Sequence, residues 1–266
     1  MDLLRYTFFQ HALLGSLLAS IACGIIGTYI VTRRLVFISG GITHASFGGL
    51  GLSYYLGSSP MLGATVFSLL SALGILFLSE NKKLREDSLI GIFWSAGMAI
   101  GILFIYLTPG YAPNLMSYLF GNILTVTREQ IILSVILCLL IIAFFARFYR
   151  PLFYIAFDKE YSKTHHVHVN IIDVAINIII ALCIVLCLKL AGIILVISYL
   201  TIPQAIAGIL YKNFTQQLLA SALISTIGSI AGLFLSAQLN TPSGATIVIC
   251  FLILFILVWL IHKIRT

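Results

Sequence analysis

The chain alternates between long apolar segments and short breaks that carry charge, glycine or proline. Nine apolar segments can be distinguished, at 11–32, 36–56, 60–79, 89–107, 130–148, 171–188, 191–210, 215–236 and 244–262. A helix of about 20 apolar residues is long enough to cross a hydrocarbon core of about 30 Å. The pattern predicts an all-α, polytopic membrane protein with about nine transmembrane helices, forming a single transmembrane domain over residues 1–266.

One boundary and one short segment depart from this regular alternation. Only Lys189 and Gly192 mark the division between the sixth and seventh segments. Residues 115–126 form an apolar stretch that is too short to cross, because a spanning helix needs at least about 17 residues. We expect this stretch to be an outer-face or re-entrant helix that is buried in protein.

The longest polar insert, at about 149–170, has the pattern of an amphipathic helix. Its aromatic side chains recur at helical spacing, at Phe153, Tyr154, Phe157 and Tyr161, and charged residues lie between them. An exposed aromatic stripe outside the membrane predicts a protein partner. The insert is too short to hold a nucleotide site or an enzyme core.

Composition supports the membrane assignment and excludes a nucleic-acid partner. Of the 266 residues, 61% are hydrophobic and 9% are charged, whereas soluble domains have about a quarter of their residues charged. The net charge is +7. It does not indicate nucleic-acid binding, because the basic residues lie at the ends of apolar segments, where the positive-inside rule predicts them.

His44 lies in the middle of the second apolar segment, surrounded by glycines. An imidazole at mid-bilayer depth is costly, and such residues usually face a bundle interior or a solute path. One interpretation is a structural histidine hydrogen-bonded to a carbonyl group. The other is a metal ligand on a permeation path, since imidazole suits zinc, iron and manganese. The second interpretation places Gly40, Thr43 and Gly48 beside His44 on that path.

Pro203 interrupts the seventh segment, where it removes a backbone hydrogen-bond donor. Ser198, Thr201 and Gln204 can satisfy the carbonyl groups that are left without a partner. We therefore predict a kinked helix at Pro203 and Gln204.

The cysteines and a histidine run offer weaker candidates for metal binding. All five cysteines lie inside apolar segments, which favours buried thiols over disulfides. Cys183 and Cys187 share a helix face, as packing residues or as a soft-metal pair. The run at His165, His166 and His168 is either solvated, partner-facing or a weak metal site.

Five stretches, taken together, resemble the membrane subunits of metal-ion ABC importers, the zinc, manganese and iron permeases. They are RRLVFISGGITHASFGGLGLSYYLG (33–57), YLFGNIL (118–124), PLFYIAFDKEYSKTHHV (151–167), GIILVISYLTIPQAIAGIL (192–210) and TPSGATIVI (241–249). Their order and spacing match that family over essentially the whole chain. Many relatives carry an Asp, four residues before the histidine, where this chain has Gly40.

The resemblance implies a type II ABC importer fold in a bacterial or archaeal inner membrane. It implies a homodimer with the path at the subunit interface, two ATPase subunits below and an extracytoplasmic metal-binding protein above. The segment at about 149–170 would then be the coupling region that sits on an ATPase, with Phe157, Asp158, Glu160 and Tyr161 as contact residues. The transported divalent metal would be zinc first and manganese or iron next, with no covalently bound cofactor.

Three other functions remain as alternatives. A permease for a metal chelate or a cobalamin-like solute would need a wider path without an imidazole. An intramembrane metalloenzyme would have to combine His44 with His11 or His262, which the span order places at opposite membrane ends. A channel would need no ATPase. The sequence carries no P-loop or hydrolase motif, so we expect a transport subunit rather than an enzyme.

The distribution of basic residues gives the orientation. With the N-terminus outside and the C-terminus cytoplasmic, only Arg5, Arg128 and Lys189 of the 15 Lys and Arg residues fall on the outer side. The others fall on the inner side: Arg33, Arg34, Lys82, Lys83, Arg85, Arg147, Arg150, Lys159, Lys163, Lys212, Lys263 and Arg265. This asymmetry satisfies the positive-inside rule and requires an odd number of spans.

We predict that tags at the N-terminus and near Ser58 are accessible from outside the cell. Tags near Lys83, near Lys163 and at the C-terminus should be accessible only from inside, because each follows an odd-numbered span. Accessibility to a membrane-impermeant label in intact and in permeabilised cells measures this. An N-terminal tag that is labelled only after permeabilisation contradicts the nine-span topology.

Overall fold

A computed structural model of the protein describes residues 5–79, 84–109, 121, 123–164 and 169–265. The described residues fold into helices joined by short turns. The helices are α1 (Thr7–Thr32), α2 (Val36–Tyr55), α3 (Pro60–Ser79), α4 (Glu86–Leu107), α5 (Arg128–Arg147), α6 (Tyr149–Phe157), α7 (Lys159–Thr164), α8 (Val169–Tyr199), α9 (Ile202–Leu210), α10 (Phe214–Leu239) and α11 (Ser243–Arg265). A single 3₁₀ turn covers Ile123–Thr125.

The predicted all-α, polytopic fold is confirmed. Seven segments of the described chain are long and apolar enough to cross a membrane, with Val169–Leu210 counted as one segment of 42 residues. Helix α2 has 20 residues, enough to span, and it contains five glycines and His44. The count of nine spans stays a prediction.

Helix α8 is interrupted at Gly192, at the weakly marked boundary of the sixth and seventh segments. Gly192 has φ 79° and ψ 167°, a conformation that is essentially restricted to glycine. Gly121 packs directly against this break. A Cβ atom on Gly121 would overlap the backbone of Ala191 and Gly192. Gly121 itself has φ 60°. The break in α8 therefore depends on two glycines that are distant in sequence.

The described residues group into two compact units. The first contains those within Met1–Arg34, Met116–Ser162 and Leu186–Thr266, and the second contains those within Leu35–Leu115 and Lys163–Val185. The prediction of a single domain over residues 1–266 remains a prediction.

In the second unit, α2 packs against α3 and α4 through glycines. A Cβ atom on Gly49 would overlap the carbonyl group of Gly63 in α3, and one on Gly51 would overlap the backbone of Gly101 in α4. A Cβ atom on Gly97 of α4 would overlap the backbone of Ala45. Small residues permit this close approach of backbones, which stabilises helix contacts where no hydrophobic force between helices is available.

In the first unit, α1 and α10 meet through small and hydroxyl-bearing residues. Ser20 Oγ lies 2.9 Å from Ser229 Oγ, and Thr28 donates to Ser221 Oγ at 3.1 Å. A Cβ atom on Gly24 would lie 2.5 Å from the backbone of Ala222. Hydrogen bonds between buried hydroxyl groups and close backbone contact thus hold this helix pair together.

The polar insert differs from the single amphipathic helix that the sequence predicts. It forms two short helices, α6 and α7, which Asp158 separates in an extended conformation with φ −150° and ψ 102°.

The histidine run at 165–168 lies outside the described residues. The short helix expected at 115–126 also falls mostly outside them, and its described end is the 3₁₀ turn at Ile123–Thr125 followed by Val126.

The packing of α2 on α4 generates a stability prediction with a matched control on one helix. Gly97→Ala should lower the free energy of unfolding by about 1–3 kcal/mol, because the added methyl group overpacks the contact with Ala45. Gly91→Ala should be neutral or stabilising, since a Cβ atom on Gly91 meets nothing within 4 Å and alanine favours the helix. Thermal unfolding of the two variants in detergent measures the difference. Equal melting temperatures would contradict the close contact of α2 and α4.

Candidate functional site

The imidazole of His44 lies on α2 within the second unit, and two residues of α4 contact it. Its ring stacks on the indole of Trp94, with centroids 4.2 Å apart and an interplanar angle of 13°. Its Nδ1 atom lies 3.4 Å from Met98 Sδ. Trp94 and Met98 are one helical turn apart on α4, so both reach the same imidazole. Neither residue could be identified from the sequence. Two apolar residues four positions apart face the lipid as often as they face another helix.

The indole of Trp94 also covers Gly40, the position at which the resemblance to metal-ion permeases implies an Asp. A Cβ atom on Gly40 would lie 2.8 Å from Cζ3 of Trp94. The contacting atom belongs to a side chain that is only half-buried, so a larger residue at position 40 would displace the indole. Trp94 therefore occupies the space beside Gly40 that the carboxylate of an Asp at position 40 would need.

Thr43 and Gly48 lie at helix contacts rather than beside an open surface. Thr43 is fully buried, and its hydroxyl group donates to the carbonyl oxygen of Ser39 on its own helix. A Cβ atom on Gly48 would lie 2.9 Å from the carbonyl oxygen of Gly97 and 3.1 Å from the ring of Phe67. Among Gly40, Thr43, His44 and Gly48, only His44 is partly exposed.

The donors grouped at His44 are an imidazole nitrogen and a thioether sulfur. Both are neutral, so a metal ion here would keep most of its charge uncompensated by these two groups. Imidazole suits zinc and iron, whereas a thioether prefers softer ions. Such a pair suits a cation that binds briefly and leaves, as a permeation path requires.

The predicted kink at Pro203 is a full break between two helices. Pro203 lies in the first turn of α9, a position where proline costs no hydrogen bond. Ser198 and Thr201 donate to carbonyl oxygens one turn earlier, at 3.0 and 2.8 Å. Gln204 donates through Nε2 to the carbonyl oxygen of Tyr199 at 3.0 Å and to that of Cys23 at 2.9 Å. Of the three side chains, Gln204 is the one that donates to the carbonyl group of Tyr199, four residues before Pro203.

Helix α6 is held in the first unit by an aromatic cluster around Phe214 at the start of α10. The rings of Phe153 and Phe157 lie 5.7 and 6.3 Å from that of Phe214. The hydroxyl group of Tyr149 lies 2.6 Å from Thr215 Oγ1. These contacts fix the amphipathic segment against a long helix, so a force applied to α6 would be transmitted to α10.

The outward side of α6 and α7 presents aromatic rings. Phe157 is 64% exposed and Tyr161 is 50% exposed, and the ring of Tyr161 lies 6.4 Å from that of Tyr154. Asp158 has a local role, since its carboxylate accepts a hydrogen bond from the backbone N–H of Tyr161 at 2.9 Å and so caps α7. Glu160 is exposed beside it.

Comparisons with known proteins agree with this architecture. Residues 5–262 match the model of the ABC 3 transport family. An uncharacterized membrane protein of Synechocystis sp. is 44% identical over 246 residues, covering 92% of this chain and 88% of that protein. The manganese transport system membrane protein MntC of Halalkalibacterium halodurans is 33% identical, covering 96% of this chain and 88% of that protein.

A solved structure has the same fold. PsaBC from Streptococcus pneumoniae, in complex with Fab, superposes with a TM-score of 0.85 at 28% identity, covering 97% of this chain and 93% of that chain. The family match makes this chain a transport permease rather than an enzyme. The chain belongs to the ABC 3 transport family, which confirms its resemblance to the permeases of metal-ion ABC importers.

Proposed function

We propose that this protein is the membrane permease of an ABC importer that takes up manganese. The observation that carries the choice of metal is the relationship to permeases that are named for manganese transport, at 33%, 31% and 30% identity over nearly the whole chain. Manganese binds most weakly in the series of first-row divalent ions. His44 is partly exposed, and its contacts with Trp94 and Met98 are neutral. Its imidazole would give the weak, reversible contact that such an ion needs in order to pass.

Zinc is the second candidate, and the donors at His44 favour it. Imidazole is a preferred zinc ligand, and a thioether sulfur tolerates zinc better than manganese. The resemblance to metal-ion permeases and the single imidazole both favoured zinc at the level of the sequence. The two metals are distinguished by the transport experiment described below.

The proposed function also includes the partners of an ABC importer. A second copy of the chain would complete the path, an extracytoplasmic binding protein would deliver the metal at the outer face, and separate ATPase subunits would supply the energy. The exposed rings of Phe157 and Tyr161, with Glu160 between them, would contact an ATPase subunit, and Asp158 would hold α7 in place for that contact. This arrangement requires the N-terminus outside and the C-terminus in the cytoplasm.

We predict that the complex reconstituted with its ATPase and binding protein hydrolyses ATP faster when manganese is supplied. His44→Ala should abolish the metal-dependent part of that rate and of uptake while leaving basal hydrolysis near normal, because the imidazole would contact only the cargo and the side chains of α4. Zinc, iron and cobalamin are assayed in parallel. If only zinc stimulates ATP hydrolysis, the substrate is zinc and not manganese.

His262→Ala is the matched control, since it removes a histidine from the exposed end of α11. Normal manganese uptake by His44→Ala at limiting metal would contradict the role of His44 on the path. If His44 were only structural, the same variant would lose thermal stability and expression together with transport.

We predict that Phe157→Ala and Tyr161→Ala weaken the association with the ATPase subunit. Aromatic anchors at an interface typically cost about 2 kcal/mol or more when truncated, which is about 30-fold in Kd. Tyr161→Ala is the cleaner of the two, because Phe157 also packs on Phe214. Co-purification of the two subunits measures the loss.

Tyr106→Ala serves as the control for this experiment, because Tyr106 is 87% exposed at the end of α4 and belongs to neither α6 nor α7. Unchanged co-purification of both coupling variants would show that the segment is a linker rather than a docking surface.

A further inference from the structure

Two thiols lie in contact inside the first unit, where the proposed function gives them no role. Cys23 is on α1 and Cys187 is on α8, and their sulfur atoms are 3.5 Å apart. Cys23 is 0% exposed and Cys187 is 1% exposed. The contact joins two helices that are separated by more than half of the chain, so it is a product of the tertiary fold rather than of local sequence.

The distance between the sulfur atoms suits a bridging metal ion. Two zinc–sulfur bonds of about 2.3 Å at a tetrahedral angle place the sulfurs about 3.8 Å apart, so a small separation of the two side chains would admit an ion. Thiolate sulfur is a soft ligand that binds zinc and heavier ions of the same group, whereas manganese prefers oxygen ligands. The pair therefore discriminates against the cargo proposed above.

Loss of the protons from both thiols matches the charge of a divalent ion. Binding proceeds as M²⁺ + 2 R–SH → M(SR)₂ + 2 H⁺, with two metal–sulfur bonds formed, two S–H bonds broken and both protons released to the aqueous phase. The product is neutral, which avoids the cost of a net charge inside the membrane. A monovalent ion on the same two thiolates would leave a buried negative charge.

A further polar group adjoins Cys23. The side-chain amide of Gln204 is anchored to the carbonyl oxygen of Cys23 at 2.9 Å. Its Oε1 atom is buried and forms no hydrogen bond within the described part of the chain. A buried amide oxygen without a donor is unfavourable on its own.

We propose that Cys23 and Cys187 form a buried dithiol site for a soft divalent cation such as Cd²⁺ or Zn²⁺, in addition to the path at His44. Because both sulfurs are buried, the ion enters only when the helices open, and binding is slower than at a surface thiol. Oxidation of the pair to a disulfide would require an oxidant, whereas metal binding leaves both sulfurs at the thiolate oxidation level.

Titration of the purified full-length permease with Cd²⁺ tests the site without requiring transport. The protein is kept reduced with a phosphine, and thiol content is measured first to establish that both sulfurs are available. We expect a cadmium–thiolate charge-transfer band that saturates at one ion per chain with release of two protons. Manganese at the same concentration should produce no band and should not displace cadmium.

Cys23→Ser and Cys187→Ser should each weaken cadmium binding at least 10-fold. Cys250→Ser is the matched control, because Cys250 is also a buried thiol but lies on α11, and it should bind like the unmodified chain. Cys23→Ala and Cys187→Ala are used wherever a serine variant elutes as an aggregate, since alanine adds no buried polar group.

Persistence of the band in a chain that lacks both Cys23 and Cys187 would overturn the proposal. Absence of the band from the reduced, unmodified protein would also overturn it. So would a loss of cadmium binding in Cys250→Ser as large as that in Cys23→Ser or Cys187→Ser. None of these outcomes bears on manganese uptake, so failure of this site and failure of the proposed function are distinguishable.

Discussion

Close backbone contact between helices is the constraint on which this structure depends. Lipid tails are as apolar as leucine side chains, so burial of apolar surface does not drive helices together inside a membrane. The protein instead brings α2 against α3 and α4 at positions where neither helix carries a side chain, as at Gly49 and Gly63. The same solution recurs where Gly24 of α1 meets α10. The position of His44 on α2 follows from these contacts, because they fix how far the helix can rotate against α3 and α4.

The helices themselves were predictable from sequence, because a membrane requires long apolar segments with satisfied backbone groups. The ends of the helices were less accurate, as at α1, which begins at Thr7 rather than at residue 11. The sequence predicted a kinked helix at Pro203, whereas the structure has two separate helices there. A proline within an apolar segment is compatible with both.

The surroundings of His44 and of Cys23 could not be derived from sequence. Trp94 lies 50 positions after His44, and Cys187 lies still farther from Cys23, so no local periodicity connects the members of either pair. An apolar helix such as α4 carries no polar face from which its inward side can be read. Only the contacts between helices show that Trp94 occupies the space above Gly40.

The stacking of Trp94 on His44 places an indole where its fluorescence would report a metal ion at the imidazole. The chain has two tryptophans, and Trp259 is on α11, so one of the two indoles lies directly on the imidazole. An ion that approaches the stacked face of the imidazole must compete with the indole. The quantum yield and emission maximum of Trp94 would change with that competition. With Trp259 replaced by phenylalanine, the arrival of a metal at His44 becomes visible in the intrinsic fluorescence of the unlabelled protein.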